Sequence, residues 1–236
     1  MVAGPGPVLG VVLTGGRSAR MGTDKALVEI DGRPLAGRVA DALTAGGADR
    51  VVAVGGTAAL AAATGLEVWP DAHPGAGPLG AVLTALSRAP RGAVVVAPCD
   101  WARPDPTVVR AVVTVLAADT ALLAAVPCVA GRAQWIHAAW RTAAHGPLAA
   151  AFASGERSLR RAAAPLGPVA RVEVDPEVLA DLDTPADLAA LDPPPAPGPA
   201  GSLAAGSALE STGEDRVAPR PGRGAPTAPT IRRGRG

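Results

Sequence analysis

A three-layer α/β/α domain built on a mostly parallel sheet is what the sequence predicts, and three observations carry that expectation. Short apolar runs alternate with helix-length amphipathic stretches along residues 1–191. Several of those runs are apolar on both faces, which suits strands covered by helices on each side. Helix start and stop signals fall between the runs. Such alternation implies right-handed crossovers, and these gather ligands at the carboxyl ends of the strands.

Taken in order, VLGVVL (8–13), RVVAVG (50–55), LEVWP (66–70), AVVVAP (93–98), ALLAAVP (121–127), WIHAAW (135–140) and VARVEV (169–174) read as strands. The stretch PLAGRVADALTAGG begins with Pro34, suited to a first helical turn. Leu35, Val39 and Leu43 then repeat at helical spacing, and glycines end it. GPLGAVLTALSRA and DPTVVRAVVTVLA carry similar stripes, with Asp105 as N-cap of the second, and DTPADLAAL places Thr184 as cap ahead of Pro185. From residue 192 the composition turns to Pro, Gly, Ala, Ser and Arg without aromatic residues or a sustained period. Residues 192–236 are therefore expected to form a disordered tail behind a single domain over 1–191.

Charge narrows the function classes. The chain of 236 residues has a formal net charge of +1, but residues 193–236 hold six arginines against three acids, so the predicted domain is slightly acidic. That argues against a nucleic-acid footprint. The two cysteines, Cys99 and Cys128, form no C-x-x-C pair and stand near no histidine at metal-ligand spacing, as in a reducing cytosol. MVAGPGPVLGVVL has no basic n-region, and its apolar stretch is too short to span a bilayer, so a soluble, cytoplasmic protein without membrane contact is expected.

The chemistry concentrates in VVLTGGRSARMGTDKAL (11–27). Lys25 is the only lysine in the chain, against 21 arginines, so the position selects a compact ammonium rather than a planar guanidinium. A buried strand ending at Leu13 delivers Gly15 and Gly16 to the sheet's ligand edge, where backbone N–H groups can approach an anion closely. Ser18, Arg20 and Lys25 then surround that anion, which makes the loop a phosphate cradle. It lacks the G-x-x-x-x-G-K-[ST] spacing of a P-loop, and a glycine-rich turn with solvated arginines is the plainer reading. GAGPLG (75–80) matches G-x-G-x-x-G, but its glycines follow no strand directly and Pro78 removes an N–H, so a dinucleotide fingerprint is rejected. His73 and His137 are expected to be structural, and Trp69, Trp101, Trp135 and Trp140 to pack in the core or a pocket wall.

The whole string LTGGRSARMGTDKAL resembles the signature L-x-G-G-x-S-x-R-M-G-x-D-K of the molybdenum cofactor guanylyltransferase family. WPDAHPGAGPLGAV and VVVAPCDWARPD look like its next two segments, and GRAQWIHAAWR, GERSLRR and DLDTPADLAAL are similar to weaker ones. The resemblance implies a Rossmann-like nucleotidyltransferase fold and transfer of GMP from GTP to the terminal phosphate of molybdopterin, with release of pyrophosphate. It implies nucleotide contacts at Leu13, Thr14, Gly15, Gly16, Ser18, Lys25, Asp71 and Asp100, with Lys25, Arg20 and Asp100 carrying catalysis. Asp100, after six strand residues, is placed to hold Mg²⁺ by one carboxylate while phosphate and water complete the shell. GTP and molybdopterin are the implied small-molecule partners, with transient contact to a molybdoenzyme or its chaperone. The doubled glycine resembles the guanylyl rather than the cytidylyl branch. Thr14 stands where the family usually has Ala, and Asp181 and Asp183 where it commonly has Asn-x-Asn, which bears on the acceptor side. A cytidylyl- or other nucleotidyltransferase of the same fold, or a nucleotide-binding module without catalysis, are the alternatives.

Overall fold

The computed structural model describes residues 6–15, 24–180, 182 and 231–233, the last three by backbone alone. At the centre of the sheet lies β1 (Val8–Leu13), parallel to β4 (Arg50–Val54) on one side and to β6 (Ala93–Pro98) on the other. β5 (Glu67–Trp69) continues the parallel set beyond β4. On the far side of β6 come the antiparallel β9 (Ala139–Arg141), then β7 (Ala124–Val129), and β10 (Val169–Glu173), parallel to β7. A two-residue strand, β8 (Arg132–Ala133), folds back on β7, and the hairpin β2 (Glu29–Ile30)–β3 (Arg33–Pro34) stands apart.

Among the described residues six helices cover the sheet: α1 (Leu35–Ala45), α2 (Ala58–Thr64), α3 (Gly77–Arg88), α4 (Pro106–Ala118), α5 (His145–Ala153) and α6 (Leu159–Ala163). The double-sided apolar pattern of β1 explains the layering. Leu9, Val11 and Leu13 pack into a core with Leu79, Val82 and Leu86 of α3 and Leu148 of α5. Val8 and Val12 face the opposite core, with Val39 and Leu43 of α1 and Val112 and Leu116 of α4. Each such fully buried side chain contributes roughly 1.5–3 kcal/mol of transfer free energy. The Asp105 cap forms as expected, its Oδ1 accepting the Thr107 N–H at 2.7 Å.

Two strand expectations shift. The run 121–127 becomes a strand only from Ala124, because Asp119 folds its first residues into a turn: Oδ1 accepts the Ala121 N–H at 3.0 Å and its carbonyl the Leu122 N–H at 3.2 Å. The run 135–140 splits into a 3₁₀ turn at Trp135–His137 and β9, which extends to Arg141. Both runs are apolar because they are buried, and burial does not require an extended backbone. The expected helix over 183–191 lies outside the described residues. So does the 192–236 tail, apart from β11 (Ile231–Arg233), which pairs antiparallel with β10. Among the described residues, no helix is long and apolar enough to cross a membrane.

Candidate active site

The register of the three central strands brings their ends to one line, with Leu13 opposite both Val54 and Pro98. Whatever follows each strand therefore meets at one edge. After β1 the Thr14 N–H donates to the Val54 carbonyl at 3.0 Å, and its hydroxyl donates to the same oxygen at 3.1 Å. After β6 the Cys99 N–H donates to the Leu13 carbonyl at 3.1 Å. After β4 comes a glycine pair whose backbone fits nothing larger. Gly55 and Gly56 have φ of +83° and +87°, and a Cβ on Gly55 would lie 2.8 Å from the Gly15 nitrogen. Both strain and crowding thus require glycine where the β4 turn backs the β1 turn.

A cleft of about 200 Å³ opens above this edge, lined by Leu13, Thr14 and Gly15, by Asp24 and Lys25, by Pro98, Cys99 and Asp100, and by Pro78, Ala81 and Ile136. Asp24 caps a 3₁₀ turn over Lys25–Leu27, its Oδ1 accepting the Ala26 N–H at 3.1 Å, which fixes where the Lys25 side chain starts. The Lys25 ammonium donates to the Leu182 carbonyl at 2.8 Å and lies 3.4 Å from Asp100 Oδ2. Asp71 follows β5. Its Oδ1 accepts from the His73 N–H and from the Thr84 hydroxyl, both at 2.9 Å, while Oδ2 lies 3.8 Å from where a Cβ on Gly15 would stand.

Of the residues the sequence nominated, Leu13, Thr14, Gly15, Lys25 and Asp100 line one cleft and Asp71 adjoins it through Gly15. Gly16, Ser18 and Arg20 lie outside the described residues. Asp24 and Ile136 line the cleft as well, and for Asp24 the D-K pair of the motif was a usable signal. The Leu182 carbonyl, a backbone group reached across 157 positions, leaves no mark in the sequence. His137 is buried, and that burial pulls its imidazole down to about 3, so it is neutral near pH 7. Its ring meets Trp101 edge-on, centroids 4.9 Å apart, as expected of a structural histidine. Burial, then the Asp100 and Asp24 carboxylates, push the Cys99 thiol up to about 12, which removes it as a nucleophile. All four tryptophans are buried.

Among the described residues no three His, Cys, Asp or Glu side chains gather into a metal cage. Asp24 and Asp100 both face the cleft, a sparse oxygen donor set of the kind that suits a hard divalent ion completing its shell with phosphate and water.

A glycine turn on the central strand of a mostly parallel sheet, with one carboxylate after the neighbouring strand and one ammonium beside it from a 3₁₀ turn, has what a phosphoanhydride needs for positioning and charge neutralisation. It is the arrangement of a nucleotidyltransferase domain. More specifically, the chain belongs to the MobA-like NTP transferase domain family, whose pattern it matches over residues 10–169. It is 33% identical over 188 residues to a probable molybdenum cofactor guanylyltransferase of Deinococcus radiodurans, covering 78% of this chain and 94% of that one. A molybdenum cofactor guanylyltransferase of Cereibacter sphaeroides is 34% identical over 186 residues, 77% of this chain and 94% of its own. Among solved structures, Rv0371c of Mycobacterium tuberculosis H37Rv superimposes with a TM-score of 0.63 at 26% identity, over 81% of this chain and 98% of its own. The same protein is also known as a manganese complex, similar at a TM-score of 0.57 and 23% identity over 78% and 97% of the two chains.

Proposed function

We propose that this protein transfers GMP from GTP to the terminal phosphate of molybdopterin. An oxygen of the acceptor phosphate attacks the α-phosphorus, the bond from that phosphorus to the β-phosphate bridge breaks, and pyrophosphate leaves. The observation that carries the reading is the single lysine of the chain standing 3.4 Å from Asp100 in a cleft floored by the Thr14–Gly15 turn. The relatives' guanylyltransferase names support the choice of nucleotide and acceptor.

In this reading Gly15 lets the triphosphate approach the backbone, Lys25 neutralises charge moving onto the leaving pyrophosphate, and Asp71 braces the Gly15 turn and contacts the nucleotide. Gly16, Ser18 and Arg20 complete the cradle by their place in the motif. Asp100, with Asp24 across the cleft, would hold Mg²⁺, which supplies charge neutralisation to the triphosphate when bound. No side chain has to act as nucleophile, consistent with the buried, fully protonated Cys99. Transient contact with a molybdoenzyme or its chaperone, to hand on the product, belongs to the same proposal.

The test is pyrophosphate release with GTP, CTP, ATP and UTP, with and without molybdopterin. Release with GTP that requires both molybdopterin and a divalent ion is the expected result. Equal or faster release with CTP would overturn the guanylyl assignment, and release independent of molybdopterin would overturn the acceptor.

A further inference from the structure

The segment that follows β10 returns across the sheet to the residues that follow β6 and is fastened there by several contacts. The Trp101 indole N–H donates to the Val178 carbonyl at 2.6 Å, the Ala102 N–H to the Ala180 carbonyl at 2.9 Å, and the Leu182 N–H to the Asp100 carbonyl at 2.8 Å. Leu182 also buries its side chain, at 4% exposure, in a small apolar cluster with Ile30, Leu35 and Ala102 that Val28 closes. This cluster is separate from both faces of the sheet and joins the β2–β3 hairpin, the start of α1 and the loop after Asp100. Its consequence is the direction of one carbonyl. Leu182 O accepts the Lys25 ammonium at 2.8 Å, closer than the 3.4 Å to Asp100.

We propose that Leu182 is a positioning residue for Lys25: its anchored side chain fixes the backbone carbonyl that holds the ammonium in the cleft beside Asp100 until triphosphate oxygens take it over. The inference rests on Lys25 serving the triphosphate. A lysine stem has four rotatable bonds, and one carboxylate at 3.4 Å, itself 27% exposed, holds such a side chain weakly. A carbonyl on a tied-down segment removes that freedom in advance. Being neutral, it also yields to a phosphate oxygen more readily than a second carboxylate would. Without the anchor the charge remains in the site, but its position is dispersed, so the loss falls on kcat more than on the KM for GTP.

Because Lys25 is the only lysine, its reactivity reports on this contact without interference from other lysines. The experiment measures acylation of Lys25 by an N-hydroxysuccinimide ester in the full chain, read by peptide mass spectrometry, with and without Mg²⁺ and GTP. Leu182→Ala is expected to raise the nucleotide-free rate about tenfold, in line with loss of one hydrogen bond to a charged group. Leu182→Met should restore most of the protection. Leu116→Ala, which opens a cavity in the core under α4 away from the cleft, controls for general loosening. Trp101→Phe keeps an aromatic side chain but not the indole, removes the donation to Val178, and gives a second, smaller increase if Leu182→Ala fails to fold. Unchanged Lys25 reactivity in both Leu182→Ala and Trp101→Phe, or an equal increase in Leu116→Ala, would overturn the proposal. Failure of Mg²⁺ and GTP to protect Lys25 in the parent chain would overturn the triphosphate reading instead, while the nucleotide-free comparison still decides the role of Leu182.

Discussion

The two sides of β6 are built by different rules. From β1 to β6 every main-sheet strand is parallel, so all of them end at the cleft edge, and the residue after each strand is a candidate for the site. Thr14, Gly55 and Cys99 occupy those places after β1, β4 and β6. Beyond β6, antiparallel β9 sits between β6 and β7 and ends at the opposite edge, while β7 and β10 run with β6. There Ile136 reaches the cleft from a 3₁₀ turn, and Leu182 reaches Lys25 from a backbone segment. Parallel winding thus makes chemistry visible in sequence order. A reversed strand such as β9, or a long return after a strand such as the one from β10 to Leu182, hides it.

The sharpest way to break this comparison is at Lys25. If the parallel half carries the charge stabilisation, Lys25→Ala should lower kcat by about two to three decades, the effect of losing one preorganised electrostatic donor. Lys25→Arg should not restore it, because a planar fork cannot replace a point charge held between a carbonyl and a carboxylate. Steady-state pyrophosphate release measures both, and near-parental turnover by the arginine variant would remove Lys25 from the site.

Gly55 gives the next largest effect, on stability rather than rate. Gly55→Ala places a methyl 2.8 Å from the Gly15 nitrogen on a residue with φ of +83°. Left-handed strain and overpacking together should cost about 2–4 kcal/mol in urea unfolding. An unperturbed midpoint would mean that the two turns do not brace one another.

Much of the first half was legible because its physics is local. Strands β1 and β6 coincide with VLGVVL and AVVVAP, and the Asp105 cap follows from a carboxylate ahead of a proline and an apolar stripe. What stayed hidden depends on partners distant in sequence or on weak patterns. Helix α2 buries only Leu60 among alanines and shows no stripe, and α5 and α6 are short. The run WIHAAW is apolar because Trp135 and Trp140 stack in the core, with centroids 5.5 Å apart, and that burial was compatible with either a strand or a turn. Asp71 stood out at a strand end, yet its fixation by Thr84 from the next helix had no sequence signal.

His137 carries the comparison into the second half. Burial holds its folded-state value near 3, well below the ordinary 6.5, so as pH falls below about 6.5 the unfolded chain takes up a proton that the native chain refuses. Stability is therefore fully present above that pH and declines as acid is added, by up to about 1.4 kcal/mol per pH unit until the folded imidazole itself titrates. His137→Phe removes this slope whatever its effect at neutral pH. Urea midpoints of the two chains at pH 7 and pH 5 measure the difference, since the carboxylates common to both cancel. Equal slopes would mean that the imidazole reaches water or a partner when protonated.

The smallest effect belongs to α4, whose apolar face packs in the core with β1 and α1. Asp105 Oδ1 accepts the Thr107 N–H at 2.7 Å and so satisfies one of the donors that a helix start leaves without an intrahelical partner. Asp105→Ala should lower unfolding stability by about 1 kcal/mol, whereas Asp105→Asn, which keeps an accepting oxygen, should be nearly neutral. Neither change should alter turnover or its dependence on divalent metal, because Val108, Val109, Val112 and Leu116 hold the helix in the core independently of the cap. Circular dichroism during urea titration reads the first effect and pyrophosphate release the second. Loss of activity in Asp105→Ala at full folding would show that the loop between Asp100 and α4 is mechanically part of the site, and the boundary between chemistry and scaffold would then move one helix turn further from β6.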